Sequence, residues 1–470
     1  MKQSSPSPLP QPPNNPPIEA KFVTGSTMRH VIVMTASGSI GLSFMFLVDF
    51  LALFWVGQLD DTILLAGMGY AAMVTFLMIS VALGMMIAGV VLVARNLGAG
   101  EPERARDLAT SALVFTIFIQ SILSVLGVVF RRDLLMLAGA EGQVLEIAAH
   151  VLSITLLSLP VIAIGINCSG LLRAVGDAWR SMLVTLIAGM IVLVLDPILI
   201  LWAGWGVTGA AASLVISRVI MAVLGLYWLT RHHGLLKPPS VSAMRRAARP
   251  YFAIALPGIA TQVSPPAGQW MLTLAMAPFG PEAIAAMAVA MRLMMLVFGG
   301  IYGLSGAIGG IIGQNFGAGR LDRVRRTYLD SLIFCAVYTL VAWGVLIALT
   351  EPLVGAFNLT GEGVAVMRAF TYWVSLSFLL NGVLFVAGAA LNNLGKPSWA
   401  MWTAWLRDGV LVYPLALFMG SIWAGPGAMI GYGLAAVVAG AVAGIATWRR
   451  INHLQYQGQR ENLDARPAAQ

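Results

Sequence analysis

The chain has 470 residues, of which 59% are hydrophobic and only 10% are charged, and its mean hydropathy is +0.84. Soluble domains carry about 25% charged residues, so this composition excludes a soluble globular protein and leaves no room for a separate soluble domain. The net charge is +8, but the basic residues lie in short loops between apolar runs, which favours orientation in a membrane over nucleic-acid binding.

The chain begins with a proline-rich stretch, residues 1–29, which lacks an apolar run and predicts a disordered tail and not a signal peptide. After it, apolar runs of about 20 residues or more recur, each long enough to cross a hydrocarbon layer about 30 Å thick. They predict an all-α integral membrane protein with about twelve transmembrane helices, followed by a cytoplasmic C-terminal tail at 448–470. The predicted spans are 30–57, 62–93, 107–130, 144–172, 180–203, 206–230, 251–278, 282–312, 327–350, 363–392, 398–420 and 426–447.

The charges of the loops predict the orientation of the chain. Loops after even-numbered spans are rich in arginine and lysine, whereas loops after odd-numbered spans are acidic or nearly neutral, with Arg131 and Arg132 the main exception. Because basic loops stay on the cytoplasmic side, both termini are predicted to be cytoplasmic. We therefore expect a multi-pass protein of a bacterial inner membrane.

An internal repeat is visible at two places. RNLGAGEPERAR at 95–106 matches QNFGAGRLDRVR at 314–325, and LLRAVGD at 171–177 matches ALNNLGK at 390–396. The offset in residue number is the same for both pairs, since 314 minus 95 equals 390 minus 171. One shared offset at two sites indicates a duplication of the whole chain.

The duplication predicts the domain organisation. Each half holds six spans, and an even number gives both halves the same orientation, related by an axis along the membrane normal. We predict two pseudo-symmetric six-helix lobes around a central cleft, the N-lobe at 30–230 and the C-lobe at 251–447. The basic stretch 231–250 would then be a cytoplasmic linker between the lobes.

Strongly ionisable residues occur inside the predicted spans, at Asp49, Asp196, Arg218, Arg292, Arg407 and Asp408. A charge at the centre of a membrane helix costs about 2.5–3.5 kcal/mol on insertion scales, so each needs a partner or a function. Asp49 and Asp196 lie in spans 1 and 5 at comparable predicted depth, and Pro197 frees backbone carbonyls beside Asp196. Two carboxylates that face one dry cavity cannot both ionise cheaply, so the pair could bind and release a proton.

The remaining intramembrane charges leave structural and functional interpretations open. Arg407 and Asp408 are adjacent near the predicted cytoplasmic end of span 11, where snorkelling could keep both side chains in water. Arg218, in span 6, could neutralise an aspartate of the same lobe.

Other polar and proline residues are candidates for the cleft and its motion. Gln262, Arg292 and Asn381, on spans 7, 8 and 10, are the candidate substrate-cleft residues. Pro265 and Pro266 interrupt the middle of span 7, where they predict either a hinge between lobe positions or a static kink.

With these motifs the sequence resembles the multidrug and toxic compound extrusion (MATE) transporters, most closely the proton-coupled prokaryotic DinF-like branch. The resemblance rests on the duplicated loop, LLRAVGD, VLDPILI at 194–200 and the glycine-rich IYGLSGAIGGIIG at 301–313, and it covers both halves. It implies a twelve-helix transporter in which Asp49 and Asp196 match the family's N-lobe aspartates, which are implicated in proton or sodium binding.

The sequence departs from the family pattern near these aspartates. Val192 stands where the family often has an asparagine, and Leu214 stands at the place of a threonine on span 6. A sodium site needs several oxygen ligands, whereas a proton needs only a carboxylate. The two apolar residues therefore weaken the case for sodium more than the case for a proton. Another branch carries acids on spans 7 and 10, but neither span has one here, so coupling through the C-lobe is not expected.

These observations predict a secondary antiporter that exports drugs or other lipophilic or cationic small molecules in exchange for protons, with sodium as the other candidate ion. The alternative is a flippase of lipid-linked oligosaccharides or peptidoglycan precursors, which needs an electropositive cleft. The sequence offers no clustered metal-binding set, no nucleophile with a base and no phosphate-binding loop, which argues against an enzyme. We expect no cofactor, no metal and no nucleic-acid partner, and a protein that functions as a monomer.

Overall fold

The computed structural model describes residues 19–57 and 62–464, which form helices joined by short loops, with no strand in either range. Within these ranges the side chains at 46, 49, 50, 52–54, 56, 57, 62 and 459–464 lie outside the description. The helices of the first half are α1 (Thr27–Gly57), α2 (Thr62–Gly98), α3 (Pro102–Val129), α4 (Arg131–Leu137), α5 (Gly142–Thr155), α6 (Leu159–Ala174), α7 (Ala178–Pro197) and α8 (Gly206–Tyr227). Those of the second half are α9 (Val241–Met276), α10 (Pro281–Val297), α11 (Gly299–Gly317), α12 (Leu321–Ala348), α13 (Thr350–Ala356), α14 (Gly361–Ala369), α15 (Phe378–Asn393), α16 (Pro397–Trp405) and α17 (Val412–Asp464).

Helix boundaries repeat with the offset found in the sequence motifs. The first and last residues of α3 map onto those of α12 under this offset, and the same holds for α4 and α13 and for α6 and α15. α10 and α11 together span the counterpart of α2, with a bend between them. The duplication therefore extends through the helices and is not confined to the loops.

Seven helical stretches in the described part are long and apolar enough to cross a membrane, and two bent pairs raise the number to nine. The longest stretch, Pro397–Gly458, contains non-helical backbone at Trp423 and Ala424, where two helices meet at a kink. Counted as two, it brings the number to ten. α1, with several side chains outside the description, and α9, with four prolines, supply the remaining two of the twelve predicted spans.

α2 and α11 lie where the two halves meet. α2 packs against α9, α11 packs against α1, and α2 and α11 contact each other. A Cβ on Gly84 would lie 2.3 Å from the backbone nitrogen of Ile259, and a Cβ on its counterpart Gly303 would lie 2.8 Å from that of Ser39. Only glycine fits these two sites, as is common where helices pack closely in a membrane.

The first helix of each half contributes to the core of the other half. Val31 and Met34 of α1 are buried in the apolar cluster of the second half, whereas Tyr251 and Ile254 of α9 are buried in the cluster of the first half. The two halves are therefore joined by reciprocal packing as well as by the chain.

The structure differs from the sequence prediction at the linker and the tails. Helix α9 already begins at Val241, so the second part of the predicted linker 231–250 is helical. Residues 21–29 of the predicted tail are ordered, because a 3₁₀ turn forms at Lys21–Val23 and α1 starts at Thr27. At the other end α17 continues to Asp464, while residues 1–18 and 465–470 lie outside the described part.

Candidate functional site

Asp196 lies at the end of α7 with only 2% of its surface exposed. Its Oδ1 is hydrogen-bonded to the hydroxyl of Ser213 on α8. A π-helical stretch, Ile198–Trp202, follows Pro197 directly, so the backbone around the carboxyl group departs from the regular α-helical hydrogen-bond pattern. Such π-bulges are frequent at functional sites.

The hydroxyl of Ser213 can serve Asp196 in both protonation states. Its Oγ lies 3.0 Å from the carbonyl oxygen of Ala210 and also contacts Asp196. A serine has one proton to donate and an oxygen that accepts. Ser213 can donate to an ionised Asp196, or donate to Ala210 while its oxygen accepts the proton of a neutral Asp196.

Asp49 belongs to α1, which packs against α7, but the side chain of Asp49 lies outside the described residues. Its pairing with Asp196 therefore stays a prediction. Val192, one turn before Asp196, is buried and brings no ligand oxygen. Span 6 does supply an oxygen, from the side chain of Ser213, one residue before Leu214. The family pattern did not indicate Ser213, because it concerns only position 214.

Arg218 on α8 is buried and joins neighbouring helices. Its Nη1 lies 2.8 Å from the carbonyl oxygen of Thr155 and 2.6 Å from the Oγ of Ser158. Thr155 is the last residue of α5, and the 3₁₀ turn Leu156–Ser158 joins α5 to α6 at this point. These contacts tie α8 to the end of α5, and neutralisation of an aspartate of the same lobe by Arg218 stays a prediction.

The expectation that Arg407 and Asp408 remain in water is wrong. Their exposed fractions are 5% and 1%, and both lie in the π-helical stretch Leu406–Leu411 between α16 and α17. Nε of Arg407 lies 2.8 Å from Oδ1 of Asp408, and Nη2 lies 2.8 Å from Oδ2. The two side chains therefore form a buried two-point ion pair inside the C-lobe.

Two polar residues from other helices complete this pair. Nη1 of Arg407 donates to Oδ1 of Asn381 on α15 at 2.6 Å, and Oγ of Ser264 on α9 lies 2.9 Å from Oδ2 of Asp408. Asn381, a predicted cleft residue, is buried in this cluster. Gln262 is half-buried on α9 and Arg292 is exposed on α10, and no hydrogen bond among the described residues joins these three candidates.

Pro265 and Pro266 lie within α9, which continues across both. Pro265 has no N–H to bond to the carbonyl of Thr261, but the hydroxyl of Ser264 lies 3.0 Å from that oxygen and can replace the missing donor. The hinge role of the two prolines stays a prediction.

The repeated loops contact each other at the predicted cytoplasmic end. Nε of Arg95 donates to the carbonyl of Asn393 at 3.0 Å, and Nε2 of Gln314, its counterpart, donates to the carbonyl of Ala174 at 2.7 Å. Asn393 is the counterpart of Ala174, so each loop caps the equivalent helix of the opposite half. These residues, which the sequence assigned to cytoplasmic turns, hold the halves together.

Two glycines of the same motif allow this contact. A Cβ on Gly98 would lie 1.9 Å from the carbonyl oxygen of Gln314, and a Cβ on Gly317 would lie 1.9 Å from that of Arg95. Both distances are far below van der Waals contact, so a side chain at either position would force the halves apart.

Phe22 bridges the two halves at this closure and is 2% exposed. Its N–H donates to Oε1 of Gln314 at 2.9 Å, and its carbonyl oxygen accepts from Arg323 at 2.9 Å, both in the second half. Its ring lies 3.3 Å from the position of a Cβ on Gly176 in the first half.

A polar cluster surrounds Asp177, which caps α7 through the N–H of Arg180. Its Oδ2 lies 2.6 Å from Nη1 of Arg180 and 2.8 Å from Nε2 of His233. Burial raises the pKa of Asp177, but the hydrogen bonds from His233 and Arg180 outweigh it and hold the pKa well below its usual range. The side chains of Asp177, His232 and His233 lie close enough together to coordinate one metal ion. The carboxylate of Asp177, however, already accepts a hydrogen bond from Arg180.

The MatE family model matches residues 39–198 and 257–418, which together exceed half of the chain. The FAD transporter of Shewanella oneidensis is 25% identical over 369 residues, covering 77% of this chain and 81% of that protein. The multidrug export protein MepA of Staphylococcus aureus is 24% identical over 389 residues, covering 81% and 84%.

The fold agrees with solved structures. A mutant of the Vibrio cholerae MATE transporter VcmN has a TM-score of 0.85 to this chain at 22% identity, covering 91% of this chain and 97% of that chain. Such structures have twelve transmembrane helices, which confirms the predicted fold class. The family also consists of transporters and not enzymes, as predicted. The chain belongs to the MATE family of multi-pass membrane transporters.

Proposed function

We propose that this MATE transporter exports lipophilic or cationic small molecules in exchange for protons, with Asp49 and Asp196 as the coupling pair. The observation that carries the proposal is the buried carboxyl group of Asp196 with its hydroxyl partner Ser213. The name of the relative MepA, a multidrug export protein, supports the substrate class. We place the transporter in a bacterial inner membrane as a monomer with both termini cytoplasmic.

The proposed cycle uses the two states that Ser213 can stabilise. A proton from outside neutralises Asp196, and the neutral pair favours release of the substrate to the outside. Loss of the proton to the cytoplasm restores the negative charge, which attracts the next cationic substrate. A membrane potential supplies about 2.3 kcal/mol per charge per 100 mV, and each unit of pH gradient adds about 1.4 kcal/mol.

Proteoliposomes with separately imposed proton and sodium gradients test this proposal. We expect a proton gradient alone to drive efflux of a cationic dye, and Asp49→Asn and Asp196→Asn to abolish it. Ser217→Ala is the matched control, because Ser217 is buried on the same helix as Ser213 and donates to the carbonyl of Ala188, 2.8 Å away. Transport driven by sodium alone, or full activity of both aspartate variants, would contradict proton coupling through this pair.

A second candidate substrate class is anionic, and Arg173 on α6 favours it. Its Nη1 lies 3.0 Å from Oγ of Ser169 and 3.1 Å from Oγ of Ser181, and in the described part of the chain no carboxylate forms an ion pair with it. Nε lies 3.6 Å from the position of a Cβ on Gly306 of α11, so the charge lies between the halves.

The relative from Shewanella oneidensis is named an FAD transporter, and FAD is an anion. If this chain takes such substrates, Arg173→Gln should slow FAD transport and spare transport of a cationic dye in the same proteoliposomes. Equal loss for both compounds would instead assign Arg173 to the packing of the halves.

A further inference from the structure

Asp408 fills a position in the C-lobe that corresponds to Asp49 in the N-lobe. Gly268 on α9 is the counterpart of Asp49 under the offset that relates the two halves, since 268 minus 49 equals 314 minus 95. A Cβ on Gly268 would lie 2.5 Å from Oδ1 and 2.9 Å from Cγ of Asp408. The carboxyl group of Asp408 therefore occupies the volume in which a side chain at position 268 would begin.

The C-lobe thus holds an acid after all, supplied by a different helix. Spans 7 and 10 have no acidic residue, so the sequence predicted no coupling through the C-lobe. In the structure the acid comes from span 11 and contacts span 7 at Ser264 and Gly268. Its link to span 10 runs through Arg407 and Asn381.

The charged neighbourhood of Asp408 is dominated by Arg407. Both carboxylate oxygens accept from the guanidinium, which also lies 5.7 Å from the ring centroid of Phe385. The other titratable groups that act on the pair are the phenols of Tyr302 on α11 and Tyr432 on α17.

This arrangement keeps Asp408 from exchanging ions. An arginine remains protonated in proteins, and a two-point guanidinium pair is a strong form of charge-assisted hydrogen bonding. A proton or a sodium ion could reach the carboxylate only by leaving the buried guanidinium without its counter-ion, which is strongly unfavourable. Replacing a whole buried ion pair by apolar residues often leaves stability unchanged. We therefore look for a functional reason for the pair of Arg407 and Asp408.

We propose that Arg407 is a tethered cation that permanently fills the C-lobe carboxylate site and thereby confines ion coupling to Asp49 and Asp196. The inference rests on the proposed function, in which those two residues carry the coupling. Arg407 would then set the number of ions exchanged in each cycle, because its pairing with Asp408 removes a second acid from the exchange.

Infrared spectroscopy of the full-length protein in sodium-free detergent solution tests the masking of Asp408 without any need for transport. In Arg407→Gln, the carboxyl group loses its counter-ion and should take up one proton, seen as a protonated-carboxyl band absent from Arg407→Gln/Asp408→Asn. The spectrum of the parent should contain no protonated-carboxyl band beyond those in the spectrum of the double variant. If Arg407→Gln folds poorly, Arg407→Ala purified with guanidinium chloride provides the same test, since the band should appear when guanidinium is removed.

Transport measurements then separate this inference from the proposed function. The double variant should exchange the same number of protons per substrate as the parent, whereas Arg407→Gln should exchange one more. A missing carboxyl band in Arg407→Gln, or a changed proton number in the double variant, would overturn the role of Arg407. An unchanged proton number in Asp196→Asn would instead overturn coupling through the N-lobe, while the spectroscopic result for Asp408 would stand.

Discussion

At the scale of single residues, the contact between Ser213 and Asp196 supports the proposed role of Asp196 as a proton carrier. A buried carboxyl group that cycles between charged and neutral forms needs a neighbour that suits both, and a serine can reverse its donor direction without moving. The sequence could not identify Ser213, because serine is common in transmembrane helices and nothing in its local pattern indicates a partner on span 5.

We expect Ser213→Ala to slow proton-driven transport. A hydrogen bond to a charged group contributes about 1.5–3 kcal/mol, so losing it should reduce the rate roughly tenfold or more. Dye efflux from proteoliposomes measures this, with Ser217→Ala as the control that keeps normal rates. A normal rate in Ser213→Ala would show that Asp196 does not need the hydroxyl.

The polar cluster at Asp177 predicts a pH dependence of stability. Because the folded-state pKa of Asp177 lies below its value in the unfolded chain, its contribution is full above the unfolded value of about 4 and is lost as the pH falls through the folded value. Asp177→Asn should therefore lower thermal stability near neutral pH, by an amount that shrinks in acid. Thermal unfolding over a pH series checks this, with the exposed Asp133→Asn as the control, and a pH-independent difference would contradict it.

At the scale of secondary-structure elements, the meeting of α2 and α11 explains why the repeated loops begin with N-[LF]-G-A-G. The glycine of each loop lets the backbone of the other half approach, and the residue before each asparagine caps a helix across the interface. The sequence identified these loops as turns and as a family signature, but their reciprocal contact joins residues from opposite halves of the chain and needs the tertiary structure.

Gly317→Ala should loosen this closure. The added Cβ would collide with the carbonyl oxygen of Arg95, so the predicted cytoplasmic end should open more often. Ala94→Cys places a thiol at a buried interface position, and its labelling rate by a membrane-impermeant maleimide reports opening. Labelling should speed up several-fold in Gly317→Ala and stay unchanged in Gly344→Ala, whose added Cβ meets no neighbour within 4 Å.

At the scale of the whole molecule, the two halves share the boundaries of three helix pairs but carry different charges. The N-lobe has an acid with a hydroxyl partner, whereas the C-lobe has an acid matched by an arginine. Symmetric packing therefore supports an asymmetric site. Phe22 breaks the symmetry at the other end, since it inserts between the halves at the predicted cytoplasmic closure.

Phe22→Ala should weaken the closed arrangement of the two halves. Truncating a buried phenylalanine typically costs about 3–5 kcal/mol, and part of this loss should fall on the closed form alone. In the Ala94→Cys background, the thiol should react faster with the maleimide when Phe22 is replaced by alanine. Phe22→Leu should keep a labelling rate close to that of the parent, because leucine retains apolar volume. Unchanged labelling in Phe22→Ala would mean that Phe22 remains with one half when the other moves.

The sequence by itself determined the membrane class, the twelve spans, the duplication and Asp196 as a buried acid. Hydropathy, span length and repeat offset are properties of consecutive residues, so a single chain displays them. Only the tertiary structure decided that Asp408 lies against Gly268, that Arg407 matches its charge and that Ser213 faces Asp196. These contacts join side chains from different helices, and their geometry depends on helix rotation and on a π-helical stretch, which no local pattern fixes.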